Sequence, residues 1–510
     1  MLFNSYIFVG VFLPLAFAGF CLAGRIGPRA AAGWLLAASL AFYGWWNPGF
    51  LLLLLASIAV NYTIAGLILR AGARPRLRDA LLTAGIAGNL GALAWYKYLA
   101  AVLGFLRLHG IADVAFADPI LPLGISFFTF TQLGYLLDCR HGALRDRHSL
   151  LHYALFVAFF PHLIAGPILH HRELIPQFER RAWRVDPQDI AVGSTIFLIG
   201  LLKKTLLADP ISAPVAPGFA HPELLSLFPA WRVALSYSLQ LYFDFSGYSD
   251  MAIGLARLFG LRFPVNFNAP YRSESVIEYW QRWHMTLTRW LMLYLYNPLA
   301  LGITRRRAAR GLGTGIEARR TLRGFIEMIA VPTVITIGLA GVWHGSALTF
   351  AAFGLLHAAY LCVNHAWRLW RPGPPSAARR ARVGRVLLTY GCVLAGSVLF
   401  RAADLSGAMQ LLAGMLGLHG VAVALPDARA ATWGALDTLW LAGLYALVWF
   451  APTTQQIMRA HAPALGRVIA GPFPRLQWQP TLGWAVVLGC AAVLGLLSIG
   501  GTGEFLYFQF

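Results

Sequence analysis

Two segments place a histidine among aromatic and apolar residues, where an imidazole could act on a substrate proton. His284 lies in EYWQRWHMTLTRW (278–290), and His344 ends the apolar run ITIGLAGVWHG (335–345). A neutral imidazole in a low-dielectric pocket can accept a proton from a hydroxyl near neutral pH, so both residues are candidates for general-base chemistry. The alternative is a histidine that only packs in the core. We expect His357, in FGLLHAAY, to have that structural role and to support the candidate site by packing.

Two carboxylates and a tyrosine occupy a third segment, YFDFSGYSDMAIG (242–254). Asp244 and Asp250 fall in a stretch that is apolar enough to enter a bilayer, where ionisable groups are costly and are functional candidates by default. The alternative is that they hold helices together through hydrogen bonds, because buried polar groups need partners. We take Asp244, Tyr248 and Asp250 as site-supporting candidates.

Spacing suggests how the elements around the histidines are built. If 278–291 is one helix, Trp280, His284, Leu287 and Leu291 share a face. Glu278 and Arg282 then form an i, i+4 pair on another face. A second helix would line up Gly338, Gly341 and Gly345, so that another backbone or a thin ligand can approach closely.

Several reaction types find no support. The chain has no GxSxG elbow that would indicate a serine nucleophile, and its five cysteines are isolated, without CxxC or His/Cys spacing. We therefore predict no metal site and no bound cofactor.

Composition defines the class of protein that must position these residues. Of 510 residues, 58% are hydrophobic and only 12% are charged, whereas soluble domains are roughly 25% charged. The net charge of +20 comes from arginines in short loops between apolar runs. That pattern follows the positive-inside rule and excludes a nucleic-acid-binding face. The sequence predicts an all-α polytopic membrane protein embedded in a lipid bilayer.

Apolar runs of about 20 residues predict about 11–13 membrane helices. The arginine-rich loops are predicted to face the cytoplasm, which puts the N-terminus outside. No basic residue precedes the first apolar run, since the first arginine is Arg25, so we expect this run to be a retained span and not a signal peptide. Segments 150–169 and 276–300 each lie between cytoplasmic loops, so we expect them to be re-entrant and to form a funnel that opens inward. The candidate spans are 5–23, 30–46, 49–69, 80–105, 119–138, 189–208, 229–259, 325–344, 347–367, 386–400, 432–451 and 482–500.

Ordered motifs along nearly the whole chain resemble the membrane-bound O-acyltransferase (MBOAT) superfamily, in its bacterial branch of alginate O-acetylation and teichoic-acid D-alanyl transfer proteins. The resemblance implies a single acyltransferase domain over 1–510, with a catalytic core at about 119–370 between flanking helices at 1–118 and 371–510. It implies a ring of helices around a central funnel. The motifs are PLGISFFTFTQLGYLLD (122–138), FFPHLIAGPI (159–168), YFDFSGYSDMAIG, NFNAPYRSESVIEYWQRWHMTLTRW (266–290), VWHG (342–345), LFRAADLSGAM (399–409), APTTQQIM (451–458) and the terminal FLYFQF.

The resemblance also implies the site and the reaction. His344 occupies the position of the catalytic histidine and His284 that of the second histidine. The expected function is transfer of an acyl group, most simply acetyl, from a cytoplasmic thioester donor such as acetyl-CoA, to O-acetylate an exported polysaccharide. The remaining site-supporting candidates are Asn268, Trp280, Trp283 and Trp343 in these motifs, together with His357 outside them.

The same resemblance implies a setting and leaves alternatives. Expected partners are an extracytoplasmic hydrolase-like acetyltransferase and polysaccharide export machinery, at a bacterial inner membrane. The alginate-type Arg-Asp pair is missing from WLMLYLYNPLALGITRRR (290–307), which places alginate itself in doubt as the acceptor. Transfer of D-alanyl or another acyl group from a carrier protein stays open, as does a non-catalytic transporter or assembly subunit.

Overall fold

The structure, a computed structural model, is all-α, as predicted. Its described residues contain helices and no strand; Pro264 and Leu465 form an isolated parallel bridge. Residues 432–434 of the predicted span 432–451 and the last four residues of the terminal motif lie outside the residues that the structure describes. The described residues are 1–111, 119–144, 146–180, 185–373, 375–421, 435–466, 468, 471, 473–500 and 505–506.

Within these residues, 6 helices are long and apolar enough to cross a membrane. Shorter apolar helices accompany them over Leu99–Leu108, Leu405–Met415, Leu436–Phe450 and Leu482–Leu497. The prediction of a multi-pass membrane protein is therefore confirmed. The long helices are Phe8–Ile26, Pro48–Arg70, Pro187–Ile211, Leu322–His344, Leu348–Trp370 and Arg379–Arg401.

The chain divides into two compact units, and the helix Leu227–Leu258 contributes to both. The first unit comprises Met1–Leu206, Asp244–Val265 and Pro452–Gln509. Its other α-helices are Leu13–Ile26, Pro28–Gly44, Pro48–Arg70, Pro75–Lys97, Leu99–Leu108, Ile125–Arg140, Leu150–Ala158, Phe160–Leu163, His171–Arg180, Pro187–Leu202, Thr454–Ile457 and Leu482–Leu497.

The second unit comprises Leu207–Phe243 and Asn266–Ala451 and holds both candidate histidines. π-Helical turns at Met292–Tyr296 and Ile326–Ala330 interrupt its longer helices. Its other α-helices are Asp209–Ile211, Val215–Ala220, Val276–Trp280, Met285–Leu291, Asn297–Ala309, Ile316–Arg320, Leu322–Phe325, Val331–His344, Leu348–Trp370, Arg379–Arg401, Leu405–Met415 and Ala435–Phe450.

Both segments predicted to be re-entrant contain broken helices. In the first, the helix Leu150–Ala158 stops at Phe159, whose ψ of 112° leaves the helical region. Pro161 has no N–H with which to continue the ladder. In the second, four residues separate Val276–Trp280 from Met285–Leu291. The first segment therefore lacks the roughly 20 continuous helical residues of a plain span. In the second, the chain is helical without interruption from Met285 to Ala309, through the π-turn Met292–Tyr296, so the helix is broken only before Met285.

Candidate active site

His284 lies in the gap between two short helices. Ser275 caps the first by accepting from the Glu278 N–H, and the helix ends at Trp280. His284 then adopts left-handed backbone angles, φ 43° and ψ 52°, immediately before the helix Met285–Leu291. A non-glycine residue in this region costs of order 1–2 kcal/mol, so the surrounding contacts must hold it there. The segment 278–291 is therefore not one helix, and the condition under which Trp280 and His284 would share a helix face is not met.

An asparagine that sequence reasoning passed over supports His284. Asn266 is fully buried, and its Oδ1 lies 3.1 Å from His284 Nδ1. Asn268, the predicted asparagine, is only half-buried; its backbone N–H donates to the Arg282 carbonyl at 3.0 Å. The non-helical stretch that contains both asparagines has no periodicity that would distinguish them. Only the tertiary packing shows which one reaches the histidine.

Stacked aromatic rings pack beside His284. Trp283 stacks on Tyr271, with centroids 6.2 Å apart and planes 11° apart, and on Tyr279 at 5.8 Å. Phe267 meets Trp283 edge-on at 5.1 Å. These rings form an apolar wall next to the left-handed turn, and aromatic pairs of this kind stabilise by about 0.5–1.5 kcal/mol beyond their burial.

His344 is the last residue of the helix Val331–His344 and is buried, with 8% exposure. Its ring lies 4.7 Å from that of Trp343 and 5.0 Å from that of Phe400. Phe353 closes a third side at 6.2 Å. An imidazole surrounded by aromatic rings is shielded from bulk water, a setting in which it can act as a base toward a hydroxyl.

A close helix crossing fixes the position of His344. A Cβ added at Gly341 would lie 2.5 Å from the Phe350 carbonyl oxygen and 2.7 Å from the Gly354 Cα. The helices Val331–His344 and Leu348–Trp370 therefore pack backbone against backbone one turn before the histidine. Of the predicted glycine stripe, Gly341 makes this approach, whereas a Cβ at Gly338 would meet only a leucine methyl at 3.7 Å.

His357 connects the surroundings of the two candidate histidines. Its Nδ1 accepts the indole N–H of Trp280 at 3.3 Å, and its ring lies 4.6 Å from Phe353. Phe353 also contacts His344. The second unit thus brings together His344, Phe353, His357 and Trp280. Trp280 lies four residues before His284 in the chain.

The carboxylates predicted to support the site each pair with a lysine in the first unit. Asp244 accepts from Lys204 Nζ at 2.7 Å, and both side chains are 2% exposed. Asp250 accepts from Lys203 at 2.6 Å and also from Thr454 and Gln455. The Tyr248 ring packs against Phe3 and Phe505, each at 4.8 Å. These contacts match the helix-joining role weighed for the two aspartates.

Three side chains of the kinds that bind metal ions, Asp138, His170 and His171, lie close together in the first unit. Asp138 Oδ2 is 2.8 Å from Nε2 of both His170 and His171. A histidine that binds a metal through Nε2 normally donates its Nδ1–H to a neighbour. Here Nδ1 of His170 instead accepts the backbone N–H of Arg172 at 3.2 Å. The arrangement therefore favours a carboxylate that accepts two imidazole N–H bonds.

Comparison with known proteins identifies the family. Residues 100–316 match the model of "MBOAT, membrane-bound O-acyltransferase family". The chain is 37% identical over 456 residues to the peptidoglycan O-acetyltransferase of Helicobacter pylori, covering 83% of this chain and 81% of the relative. The chain belongs to the membrane-bound O-acyltransferase family. It is also 37% identical over 419 residues to the probable alginate O-acetylase AlgI of Azotobacter vinelandii, covering 81% of this chain and 78% of the relative.

A more distant relative is the teichoic acid D-alanyltransferase of Bacillus subtilis. It is 27% identical over 253 residues, which is 49% of this chain and 60% of that protein. The predicted family and the prediction of an O-acyltransferase enzyme are confirmed. The family model includes His284 and ends before His344, so the catalytic assignment of His344 remains a prediction from its motif.

Proposed function

We propose that this MBOAT protein transfers an acetyl group from cytoplasmic acetyl-CoA to a hydroxyl of an exported polysaccharide, with His344 as general base. The observation that carries the proposal is the contact path His344–Phe353–His357–Trp280. This path joins the helix end that holds His344 to the broken helix that precedes His284. Two buried histidines held within one framework suit a transfer that needs both a base and a substrate-binding partner.

Helix lengths support a position for His344 near the extracytoplasmic side. The helix Leu322–His344 has 23 residues, or about 34 Å, and follows the arginine-rich loop 305–323 that the positive-inside rule places in the cytoplasm. The helix Leu348–Trp370 then returns to the basic loop 368–385. His344 therefore lies where an acceptor arriving from outside can meet an acyl group delivered from inside.

The proposed chemistry needs one proton acceptor. His344 takes the proton of the acceptor hydroxyl while the hydroxyl oxygen bonds to the acetyl carbonyl carbon. The carbon–sulfur bond breaks, and the departing thiolate takes the proton from the imidazolium, which restores the neutral base. General-base assistance of this kind contributes about 10²–10⁴-fold.

Arginines of the cytoplasmic loop could hold the donor phosphates. Arg307 is buried and pairs with Glu327, so it fits a structural role. Arg305 and Arg306 are exposed. Charge-assisted hydrogen bonds from exposed guanidinium groups suit phosphates, and we assign the donor contact to these two.

Acetyl is favoured over D-alanyl by the extent of similarity. The two O-acetylases match about four-fifths of the chain, whereas the D-alanyltransferase matches 49%. A D-alanyl group delivered by a carrier protein is the second candidate. The missing Arg-Asp pair after the His284 segment argues for an acceptor other than alginate. We further propose an extracytoplasmic hydrolase-like partner that completes the transfer, alongside export machinery.

The membrane arrangement is part of the proposal. The breaks at Phe159 and at 281–284 support re-entrant segments at 150–169 and 276–300, as expected of a ring of helices around a funnel that opens to the cytoplasm. The N-terminus lies outside a bacterial inner membrane, and the catalytic core spans about 119–370 of a single domain.

The test is the O-acetyl content of secreted polysaccharide, measured by proton NMR. Cells lacking the gene are complemented with wild type or with His344→Ala at matched membrane levels. We expect acetyl esters to return with wild type only. Restoration by both would make His344 structural and place catalysis on another polypeptide, as for an assembly subunit or transporter. No change with either would contradict acetyl and direct the search to D-alanyl esters.

A further inference from the structure

Three hydrogen-bond donors converge on one atom of Asn266. Its Oδ1 lies 3.2 Å from the Thr286 backbone nitrogen, 2.9 Å from Thr286 Oγ1 and 3.1 Å from His284 Nδ1. Asn266 is 0% exposed, and His284 and Thr286 are each 2% exposed. Water therefore does not compete for these bonds.

The backbone N–H fixes the chemistry of this cluster. A backbone N–H can only donate, so the Asn266 atom that faces Thr286 must be the carbonyl oxygen and not the amide nitrogen. That oxygen can only accept, so Nδ1 of His284 must carry a proton. A neutral imidazole has a single N–H. Nε2 of neutral His284 is therefore the nitrogen with the lone pair.

The backbone also prevents Asn266 from swinging away. The backbone carbonyl oxygen of Asn266 accepts the Met285 N–H at 2.9 Å, and the backbone N–H of Asn268 donates to the Arg282 carbonyl at 3.0 Å. The two segments are thus joined on both sides of the asparagine. Left-handed backbone angles at His284 place Nδ1 within reach of Asn266.

We propose that Asn266 is a positioning residue that holds His284 in the Nδ1–H form, so that His284 Nε2 accepts a hydrogen bond from bound substrate. Two roles are open to the second histidine of such a site, orientation of the acceptor or donation of a hydrogen bond to an oxyanion. A neutral ring with its proton on Nδ1 cannot donate from Nε2, so the second role is excluded. His284 then binds an N–H or O–H group, while proton abstraction belongs to His344.

The substrate group has two possible sources, an amide N–H of the pantetheine arm of the donor or a hydroxyl of the acceptor. The inference rests on the proposed function for the identity of these substrates. Its structural part, the tautomer of His284, can be tested whether or not acetyl-CoA is the donor.

The first experiment observes the tautomer directly. Protein labelled with ¹⁵N-histidine is reconstituted in nanodiscs, and the His284 signals are assigned by comparison with His284→Gln. We expect a protonated Nδ1 and an unprotonated Nε2 in wild type, and a protonated Nδ1 also in Asn266→Asp, which keeps the accepting oxygen. A protonated Nε2 in wild type would overturn the proposal. Asn89→Leu, which removes another buried, hydrogen-bonded asparagine, should leave the His284 signals unchanged.

The second experiment measures acetyl-CoA turnover against pH and donor concentration. Asn266→Leu should lose about tenfold in kcat/KM, the effect of one hydrogen bond. A rise in KM for acetyl-CoA would identify the donor amide as the group that His284 binds, and a fall in kcat at unchanged KM would identify the acceptor hydroxyl. Wild-type kinetics in Asn266→Leu would contradict the positioning role.

Asn266→Asp covers the case in which the leucine variant does not fold. The aspartate keeps the acceptor geometry and adds a negative charge beside the imidazole, which favours the protonated ring. The acidic limb of the pH–rate profile should therefore move to higher pH than in wild type. An unmoved limb would contradict the role of Asn266. Absence of turnover in wild type would count against the acetyl-CoA donor and leave the NMR result to decide the tautomer.

Discussion

The indole of Trp280 donates its N–H to Nδ1 of His357 across 3.3 Å, joining the broken helix before His284 to the helix that follows His344. Both partners are buried, with exposures of 6% and 1%. Because Nδ1 of His357 accepts, its proton lies on Nε2, and His357 has a defined orientation. This hydrogen bond holds the His357 ring between the segments that carry the two candidate histidines.

Loss of either partner should weaken the protein and the reaction together. His357→Phe leaves the indole N–H buried without its acceptor, at a cost of about 1–3 kcal/mol. Trp280→Phe removes the donor. Because each single variant already loses the shared hydrogen bond, the double variant should lose less in thermal unfolding midpoint, measured in one detergent, than the sum of the two single losses, by the coupling of the pair. Purely additive losses, with full acetyl transfer in all variants, would show that the pair only packs.

The glycine crossing before His344 offers a matched comparison. Gly341→Ala would push a Cβ to 2.5 Å from the Phe350 carbonyl oxygen, so the two helices must separate. We expect a loss of about 2 kcal/mol or more in stability and a large drop in acyl transfer, because His344 lies three residues on. Gly338→Ala, whose Cβ meets only a side-chain atom at 3.7 Å, should be neutral or stabilising from helix propensity. Equal effects of the two substitutions would contradict this packing.

The sequence allowed much of this arrangement to be predicted. Apolar runs and arginine loops indicated the helices, whereas re-entry of the segments 150–169 and 276–300 stays a prediction from their basic flanks. The i, i+4 pair of Glu278 and Arg282 was also predictable and is present at 2.6 Å, although Arg282 lies just beyond the end of the helix.

What escaped prediction depends on tertiary contacts. Helical spacing grouped Trp280 with His284, but the chain leaves the helix between them because Asn266 offers His284 and Thr286 a competing set of hydrogen bonds. Likewise, Lys203 and Lys204 sit inside a predicted span with no local sign of a partner. They meet Asp250 and Asp244 only after the helix Pro187–Leu202 packs against Leu227–Leu258, where Gly200 lies against the backbone of Gly247.

The stability of the protein should fall much further when one residue of the buried Lys204–Asp244 pair is replaced than when both are. Lys204→Met leaves the carboxylate of Asp244 buried without its cation, a change that typically costs 3–5 kcal/mol. Adding Asp244→Asn removes the stranded charge and should recover most of that loss. The yield of folded protein and its unfolding midpoint in detergent report the difference. A double variant no better than Lys204→Met would contradict a mainly electrostatic role for the pair.

Glu274, in the predicted cytoplasmic loop, should make stability depend on acid pH. Arg385 donates two hydrogen bonds to Glu274 Oε2, at 2.6 and 3.0 Å, and Arg382 pairs with Oε1 at 2.7 Å. These guanidinium groups, Arg385 foremost, hold the pKa of the Glu274 carboxyl below its ordinary value of 4.5. Because the folded pKa is the lower one, the stabilisation is complete above pH 4.5 and is lost as the pH falls through the folded value.

Glu274→Gln should therefore be less stable than wild type at neutral pH, by up to about 1 kcal/mol for a partly exposed pair. The difference should vanish as both proteins are acidified below pH 4.5, and unfolding midpoints measured across this range in one detergent would show it. Glu317→Gln is the control, because Glu317 is 79% exposed and pairs with a single arginine at 3.1 Å. It should change stability by a few tenths of a kcal/mol at most. A wild-type advantage that persists undiminished well below pH 4.5 would mean that Glu274 acts through packing and not through its charge.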